Sequence, residues 1–288
     1  MATLYQEARD AIRNSAFRPK KRLGQNFLVH DRVLDSILRL VDLTPEDEVL
    51  EIGPGLGSLT RRLVERAGRV WAVELDSFLV EKLRRSALGS DPKLEMIHGD
   101  ILEVPLETIL PARKVKLVAN LPYSISTPAL FRLFELRDHF SFLVLMVQRE
   151  VAERMASSPG TKSYGALSVW CQVHGRIAAK VPVAPEAFFP RPKVRSTVLK
   201  IELRPEPLVA PEEFPTLRGL VRAAFGQRRK TLQNNLMTWL PLGREETDRL
   251  LRSQGIEPRR RGETLTVDEF IRLARALKNL ALTGEASA

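Results

Sequence analysis

The chain has 288 residues, 44% hydrophobic and 28% charged, with a net charge of +10. That supports a real core in one large domain or a large and a small one, and the basic balance favours a polyanionic partner, nucleic acid before membrane. One cysteine, Cys171, four dispersed histidines, no apolar run longer than Phe142 to Val147 and a polar, basic stretch from Met1 to Arg22 argue against a disulfide framework, a metal site, a membrane span and a signal segment, so a soluble cytoplasmic protein without metal is expected.

The stretch from Lys21 to Leu28 has no clean period but holds Leu23, Phe27 and Leu28, which need burial, so it reads as an ordered loop. Asp31 to Val41 carries a helical stripe of Val33, Leu34, Ile37, Leu38 and Val41. Glu48 to Ile52 is a short strand, followed at once by Gly53-Pro54-Gly55-Leu56-Gly57 and a helix with Leu59, Leu63, Val64 and Ala67 on one face. Strand, glycine turn and helix form the nucleoside- or phosphate-binding arrangement of α/β folds. The dinucleotide fingerprint G-x-G-x-x-G would need its third glycine at Ser58, so the pattern is instead E-x-G-x-G-x-G, led by Glu51. These glycines let the backbone approach a nucleoside with an amino-acid tail, S-adenosylmethionine. Val70 to Glu74 is the second strand, and Glu74 at its end stands where a carboxylate grips ribose hydroxyls in adenosine-binding sheets.

Phe78 to Leu88 reads as one helix, and Leu94 to His98 as the third strand, ending in Gly99-Asp100-Ile101, where Asp100 can accept from an adenine amino group. Val115 to Ala119 is a buried parallel strand that runs into Asn120-Leu121-Pro122-Tyr123. Thr127-Pro128 starts a helix, Phe142 to Val147 is a fifth strand, and Gln148 to Met155 is a helix. After the polar loop Ser157 to Ser163, the spacing of Ala166, Val169, Trp170 and Val173 predicts another helix. Ile177 to Val183 and Ser196 to Leu203 are the last strands, at least one of them antiparallel because no helix intervenes. Between them the prolines of Phe188 to Val194 predict an extended loop and not a strand. Pro205, Pro207, Pro211 and Pro215 then mark a linker, followed only by helical stretches over 216–225, 231–240, 244–254 and 267–282. Domains of 1–204 and 205–288 are expected: an α/β sheet domain and a small all-helical one.

The tetrad at 120–123 combines an acceptor, a fixed bend and a ring. An adenine exocyclic amine is a poor nucleophile because its lone pair is delocalised into the ring. The Asn120 side-chain oxygen and the Leu121 carbonyl, whose direction Pro122 restricts, can accept its two hydrogens. Tyr123 can stack on the base, with a second aromatic such as Phe188 closing the other face. An activated methyl donor needs alignment more than a strong base, and no G-x-S-x-G or Cys–His signature is present.

Lys21 to Leu28, Glu51 to Gly57, Val73-Glu74, Gly99 to Ile101, Asn120 to Tyr123 and Phe188 to Ser196 occur together and in order, and the tail adds Phe225-Gly-Gln-Arg-Arg-Lys-Thr-Leu232. With these the chain resembles, along essentially its whole length, the bacterial ribosomal RNA adenine N6,N6-dimethyltransferases that act on two adjacent adenosines near the 3′ end of small-subunit (16S) rRNA. The resemblance implies a Rossmann-like class I S-adenosylmethionine-dependent methyltransferase sheet with a C-terminal helical domain. Asn26 and Leu28 are then expected to contact the cofactor, Gly53 to support its amino-acid end, Glu74 its ribose, and Asp100 and Ile101 its adenine, with Gly55 and Leu75 also binding the cofactor. Asn120 borders cofactor and target amine, Tyr123 stacks on the base, and either Phe188 or Phe189 faces it from the other side. The basic residues Lys20, Lys21, Arg22, Arg191, Lys193, Arg228, Arg229 and Lys230 are expected to bind RNA, in a 30S particle or its precursor, with the protein acting as a monomer. Residues after Arg204 hold 14 Lys/Arg against 11 Asp/Glu, so the charge is not concentrated in the tail and an RNA-binding face must draw on both parts of the chain.

Two other readings compete. A large-subunit (23S) rRNA adenine methyltransferase of the macrolide-resistance type shares the cofactor site, but the tail motif and Leu121 favour the small-subunit enzyme. A non-catalytic RNA-binding assembly or transcription factor on the same fold would be favoured by loss of the tetrad or of Glu74, and both are present.

Overall fold

The computed structural model describes residues 3–13, 17–20 and 23–285, with side chains as far as residue 280. The chain divides into two compact units, Met1–Ala152 with Arg176–Leu203, and Glu153–Gly175 with Arg204–Ala288. Among the described residues no helix is long and apolar enough to cross a membrane.

In the first unit, α1 (Leu4–Arg13), β1 (Phe27–Leu28) and α2 (Asp31–Val41) precede the alternating region. There follow β2 (Glu48–Ile52), α3 (Ser58–Val64), β3 (Arg69–Glu74), α4 (Ser77–Arg84), β4 (Leu94–His98), α5 (Leu106–Ile109), β5 (Val115–Asn120), α6 (Ser126–Glu135), β6 (Phe140–Gln148) and α7 (Arg149–Met155). After α8 (Ala166–His174), which belongs to the second unit, come β7 (Gly175–Val183), β8 (Phe188–Phe189) and β9 (Ser196–Leu203). The large sheet runs β4-β3-β2-β5-β6-β9-β7. Its pairs from β4 to β6 are parallel, and β9 is antiparallel to β6, as the missing helix between the last strands requires.

The central strands are buried on both faces, hence their continuous apolar runs. In β5, Val118 joins the cluster built by Leu34, Ile37, Leu38 and Val41 of α2 and by Leu59 and Leu63 of α3, while Leu117 and Ala119 alternate to the opposite face and are also buried. Burying a side chain such as Leu34 or Leu63, each fully inaccessible, is worth about 1.5–3 kcal/mol. Strand order reverses where β2 lies between β3 and β5, which puts a topological switch point at the carboxyl ends of β2 and β5. Ile52 is in register with Ala119, so Gly53 and Asn120 leave the sheet side by side.

The sequence reading needs four corrections. The helix expected to reach Leu88 stops at Arg84; Ser86 Oγ bonds the Leu83 carbonyl at 2.6 Å, and a 3-10 turn, Ala87–Ser90, follows. Phe188 and Phe189 do form a strand. Pro190 and Pro192 lie beyond the paired residues, so the pairs Phe27↔Phe189 and Leu28↔Phe188 form, extended by Val29 N–H to the Ala187 carbonyl at 2.8 Å. The N-terminal stretch read as polar carries α1, which buries Ala8 and Ile12.

The fourth difference is the extent of the helical unit, which takes in residues 153–175 as well as those from 204 on. The reason is aromatic: in α8 the His174 ring stacks on Phe214 with centroids 5.1 Å apart, and Trp170 meets the same ring edge-on. Phe214 opens α9 (Phe214–Gly226), which is followed by α10 (Leu232–Trp239), α11 (Arg244–Ser253) and α12 (Val267–Glu285). Thr231 caps α10 by accepting from Asn234 N–H. Thr266 and Glu269 form a reciprocal capping box at the start of α12, and Glu269 also receives both terminal nitrogens of Arg260.

Candidate active site

A cavity opens at the switch point. Its walls include Gly53 and Gly55 after β2, Glu74 and Leu75 after β3, Asp100 and Ile101 after β4, and Asn120 to Ile125 after β5. Leu23 to Phe27 close it from the N-terminal side. Gly53 and Gly55 have φ of 72° and 59°, a left-handed conformation that suits glycine, and a Cβ on Gly53 would lie 3.5 Å from the Asn120 carbonyl oxygen.

Glu74 is fixed by backbone donors. Oε1 accepts from Asp76 N–H at 2.9 Å and Oε2 from Gly55 N–H at 3.2 Å. A carboxylate has about four lone-pair sites, so acceptor capacity remains for a further donor. Burial raises the Glu74 carboxyl above its ordinary range, with the Asp76 charge adding to the rise and the Asp76, Gly55 and Leu75 N–H groups opposing it. Asp100 Oδ1 accepts from Leu102 N–H at 2.9 Å, while Oδ2 and the Ile101 N–H make no hydrogen bond among the described residues. A paired acceptor for a diol beside an acceptor–donor pair for an aminopurine edge matches the polar groups of S-adenosylmethionine. Glu51, behind this wall, is 1% exposed, and its Oε2 has no hydrogen bond among the described residues. Burial pushes its carboxyl up to about 8, with the nearby Thr60 hydroxyl opposing the rise and the Glu74 charge adding to it.

The N-terminal side is a strap. Asp76, 1% exposed, accepts from Lys20 Nζ at 2.9 Å, Gln25 Nε2 at 2.8 Å and Phe78 N–H at 3.1 Å. Burial raises this carboxyl, but the hydrogen bonds from Lys20, Gln25 and Phe78 outweigh it and hold Asp76 below the usual range. Phe17 stacks on Phe78 at 5.0 Å, a second fastening. Asn26 Nδ2 donates to the Gly24 carbonyl at 2.9 Å, and the Asn26 carbonyl accepts from Asn120 Nδ2 at 3.3 Å. Asn120 thus spends its amide nitrogen on the strap, and Oδ1 is the atom left to accept from a ligand. The Leu121 carbonyl likewise receives no hydrogen bond among the described residues, whereas that of Pro122 takes both Ile125 N–H and Ser126 Oγ.

The structure brings together Asn26, Gly53, Gly55, Glu74, Leu75, Asp100, Ile101 and the whole tetrad. It does not bring Leu28 or Phe188 to the cavity. Leu28 and Phe188 are opposite each other in the small sheet, so both point the same way, into the core with Val183 and Val198. Phe27 and Phe189 point the other way, toward Ile12, Phe17 and Leu79, and Phe189 meets the Tyr5 ring edge-on at 5.4 Å. Neither phenylalanine of the 188–189 pair is among the residues that line the cavity.

Several of the expected RNA-binding residues have internal partners. Lys20 is on Asp76, Arg191 is paired with Glu186, and Arg228 is paired with Glu263 at 2.6 Å and donates to the Lys162 carbonyl. Lys193, Arg229 and Lys230 are exposed. Lys21 and Arg22 lie outside the described residues. Sequence reasoning missed Asp76, Gln25 and Ser196. Asp76 had a signal, an acidic N-cap just before a helix; the other two contacts are tertiary.

The sheet order and the cavity at its switch point are those of a class I S-adenosylmethionine-dependent methyltransferase. Residues 16–279 match the model of the ribosomal RNA adenine dimethylase family. The chain is 48% identical over 278 residues to the ribosomal RNA small subunit methyltransferase A of Geobacter metallireducens, covering 95% of this chain and all of that one. Among solved structures, a dimethyladenosine transferase from Plasmodium falciparum superposes with a TM-score of 0.70 at 27% identity, covering 85% of this chain and 94% of that one. The 23S rRNA methyltransferase ErmE superposes with a TM-score of 0.64 at 26% identity, covering 88% and 100%. The chain belongs to the ribosomal RNA adenine dimethylase family.

Proposed function

We propose that the protein transfers methyl groups to N6 of two adjacent adenosines near the 3′ end of small-subunit rRNA, in a 30S particle or its precursor, as a monomer in the cytoplasm. The observation that carries the chemistry is the Asn120–Asn26 hydrogen bond, which leaves Asn120 Oδ1 as an acceptor beside Gly53 at the switch point. When bound, S-adenosylmethionine supplies a sulfonium methyl that is already activated. Glu74 and Asp100 with Ile101 hold the nucleoside end. Asn120 Oδ1 and the Leu121 carbonyl accept the two hydrogens of the target amine and draw its lone pair out of conjugation. Tyr123 supports the ring by stacking, and the amine proton leaves to solvent after transfer. Phe188 has no part in this arrangement while its ring stays in the core.

The choice of small-subunit rRNA rests on the relative from Geobacter metallireducens, whose name gives that substrate, and on the tail motif 225–232. In the second unit, Arg229 and Lys230 are the charges of that motif that are exposed and have no ion pair among the described residues, and in the first Lys193 stands ahead of β9; these are the residues we assign to phosphate contacts. Incubation with labelled cofactor and both unmethylated ribosomal subunits tests the assignment. Label in the small-subunit RNA is expected; label confined to the large subunit would favour the ErmE-like reading, and label in neither would leave a binding protein.

A further inference from the structure

The Tyr123 hydroxyl lies 2.6 Å from Ser196 Oγ. Ser196 is 1% exposed and begins β9, in register with Gln148 at the end of β6. β6 in turn pairs with β5, whose last residue is Asn120, so the hydroxyl anchor and the amine acceptor stand on one continuous piece of sheet. Tyr123 is half-buried at the cavity wall, and burial raises its phenol, with the Ser196 bond pulling the other way; the hydroxyl therefore stays protonated at neutral pH and keeps this contact.

A ring that stacks on a base must hold its place, and a side chain anchored only at its backbone can hop between χ1 wells. Here the backbone end is fixed by the bend at Pro122, whose carbonyl receives Ile125 N–H and Ser126 Oγ. The far end is free unless the hydroxyl is held. We propose that Ser196 is a positioning residue that holds the far end of the Tyr123 ring where the target adenine stacks, and that this hold lets a monomethylated adenine stay seated for its second methyl. The inference rests on the reading of the cavity as an adenine N6-methyltransferase site. Ser196 touches neither the reacting atoms nor the cofactor side of the cavity; it acts through Tyr123. The second transfer is the sensitive one, because a monomethylated amine offers one hydrogen where the first offers two, so ring stacking carries more of the base's position.

The test is a double-mutant cycle of Ser196→Ala, Tyr123→Phe and the pair, each assayed for cofactor affinity, methyl transfer and the ratio of mono- to dimethyladenosine. Tyr123→Phe keeps the stacking ring and loses only the hydroxyl. We expect each single variant to lower kcat by roughly tenfold and to raise the monomethyl share, with cofactor Kd within twofold of the parent and the pair no worse than either single variant. Losses that multiply in the pair, or a parental product ratio in Ser196→Ala, would overturn the proposal, and so would Tyr123→Phe behaving as the parent should Ser196→Ala not fold. A parent protein that methylates no adenosine would instead sink the functional reading on which the proposal stands, and the parent lane separates the two failures.

Discussion

Asn120 Nδ2 donates to the Asn26 carbonyl oxygen at 3.3 Å, joining the end of β5 to a strap 94 residues earlier in the chain. The contact fixes which end of the amide faces the ligand. Removing an oriented acceptor from a developing charge typically costs two to three orders of magnitude in rate. Asn120→Ala is therefore expected to lower the single-turnover methyl-transfer rate by about 10²-fold or more, while cofactor Kd, which we assign mainly to Glu74, Asp100 and Ile101, moves by severalfold at most. Wild-type turnover in this variant would contradict the account of amine activation.

Two of the strap's side chains, Lys20 and Gln25, converge on one carboxylate. Asp76 holds Lys20 and Gln25 and gives its own N–H to Glu74, so it fastens the cavity's cover and orients the Glu74 carboxylate, our proposed ribose acceptor. Hydrogen bonds to charged groups are worth about 1.5–3 kcal/mol each. Asp76→Ala is expected to raise cofactor Kd by roughly tenfold in a calorimetric titration, with faster protease cleavage near residue 20. An unchanged Kd would mean that the strap does not matter for binding.

Glu51 makes stability depend on pH. Its folded-state carboxyl is raised to about 8 by burial, so between the ordinary carboxylate range and 8 the folded protein binds a proton that the unfolded chain releases. The stability this supplies is complete below the unfolded value and is lost as pH rises toward 8, with a limiting slope of about 1.4 kcal/mol per pH unit from this group. Glu51→Gln, which cannot ionise, should lose less stability than the parent between pH 6 and 8 in denaturant melts. Parallel pH profiles for the two proteins would show that Glu51 is ionised in the fold.

The basic tail motif divides by partner. Arg229 and Lys230 are exposed, whereas Arg228 is held by Glu263 and the Lys162 carbonyl. Arg229→Ala with Lys230→Ala should weaken RNA binding and shrink the slope of log K against log salt by about 1 per charge removed. Arg228→Ala should lower the stability of the helical unit, by about 1 kcal/mol at most for so exposed a pair. A binding loss concentrated in Arg228 would reverse this division.

Much of the sheet was legible because its central strands are buried on both faces and its helices are striped: Asp31–Val41 and Glu48–Ile52 begin and end where their patterns do. The cavity was legible for a related reason, since chemistry in this architecture gathers at strand ends, and Gly53, Glu74, Asp100 and Asn120 each follow or finish an apolar run. What the pattern does not carry is pairing at a distance. Phe188 looked like a stacking ring in a proline-rich loop; its fate is set by Leu28, which it meets across a two-residue ladder and follows into the core. Lys20 looked like a phosphate contact, and its partner Asp76 lies 56 positions away. Helix α8 looked like part of the sheet domain until Phe214 was found against His174.

The central claim is that the tetrad seats an adenine amine twice. It is tested most directly by digesting small-subunit RNA from unmethylated particles after incubation with the protein and S-adenosylmethionine, and resolving the nucleosides by mass. The account predicts N6,N6-dimethyladenosine at two adjacent positions near the 3′ end. Methylation at another atom or another base, or adenosine left unmodified there, would contradict it.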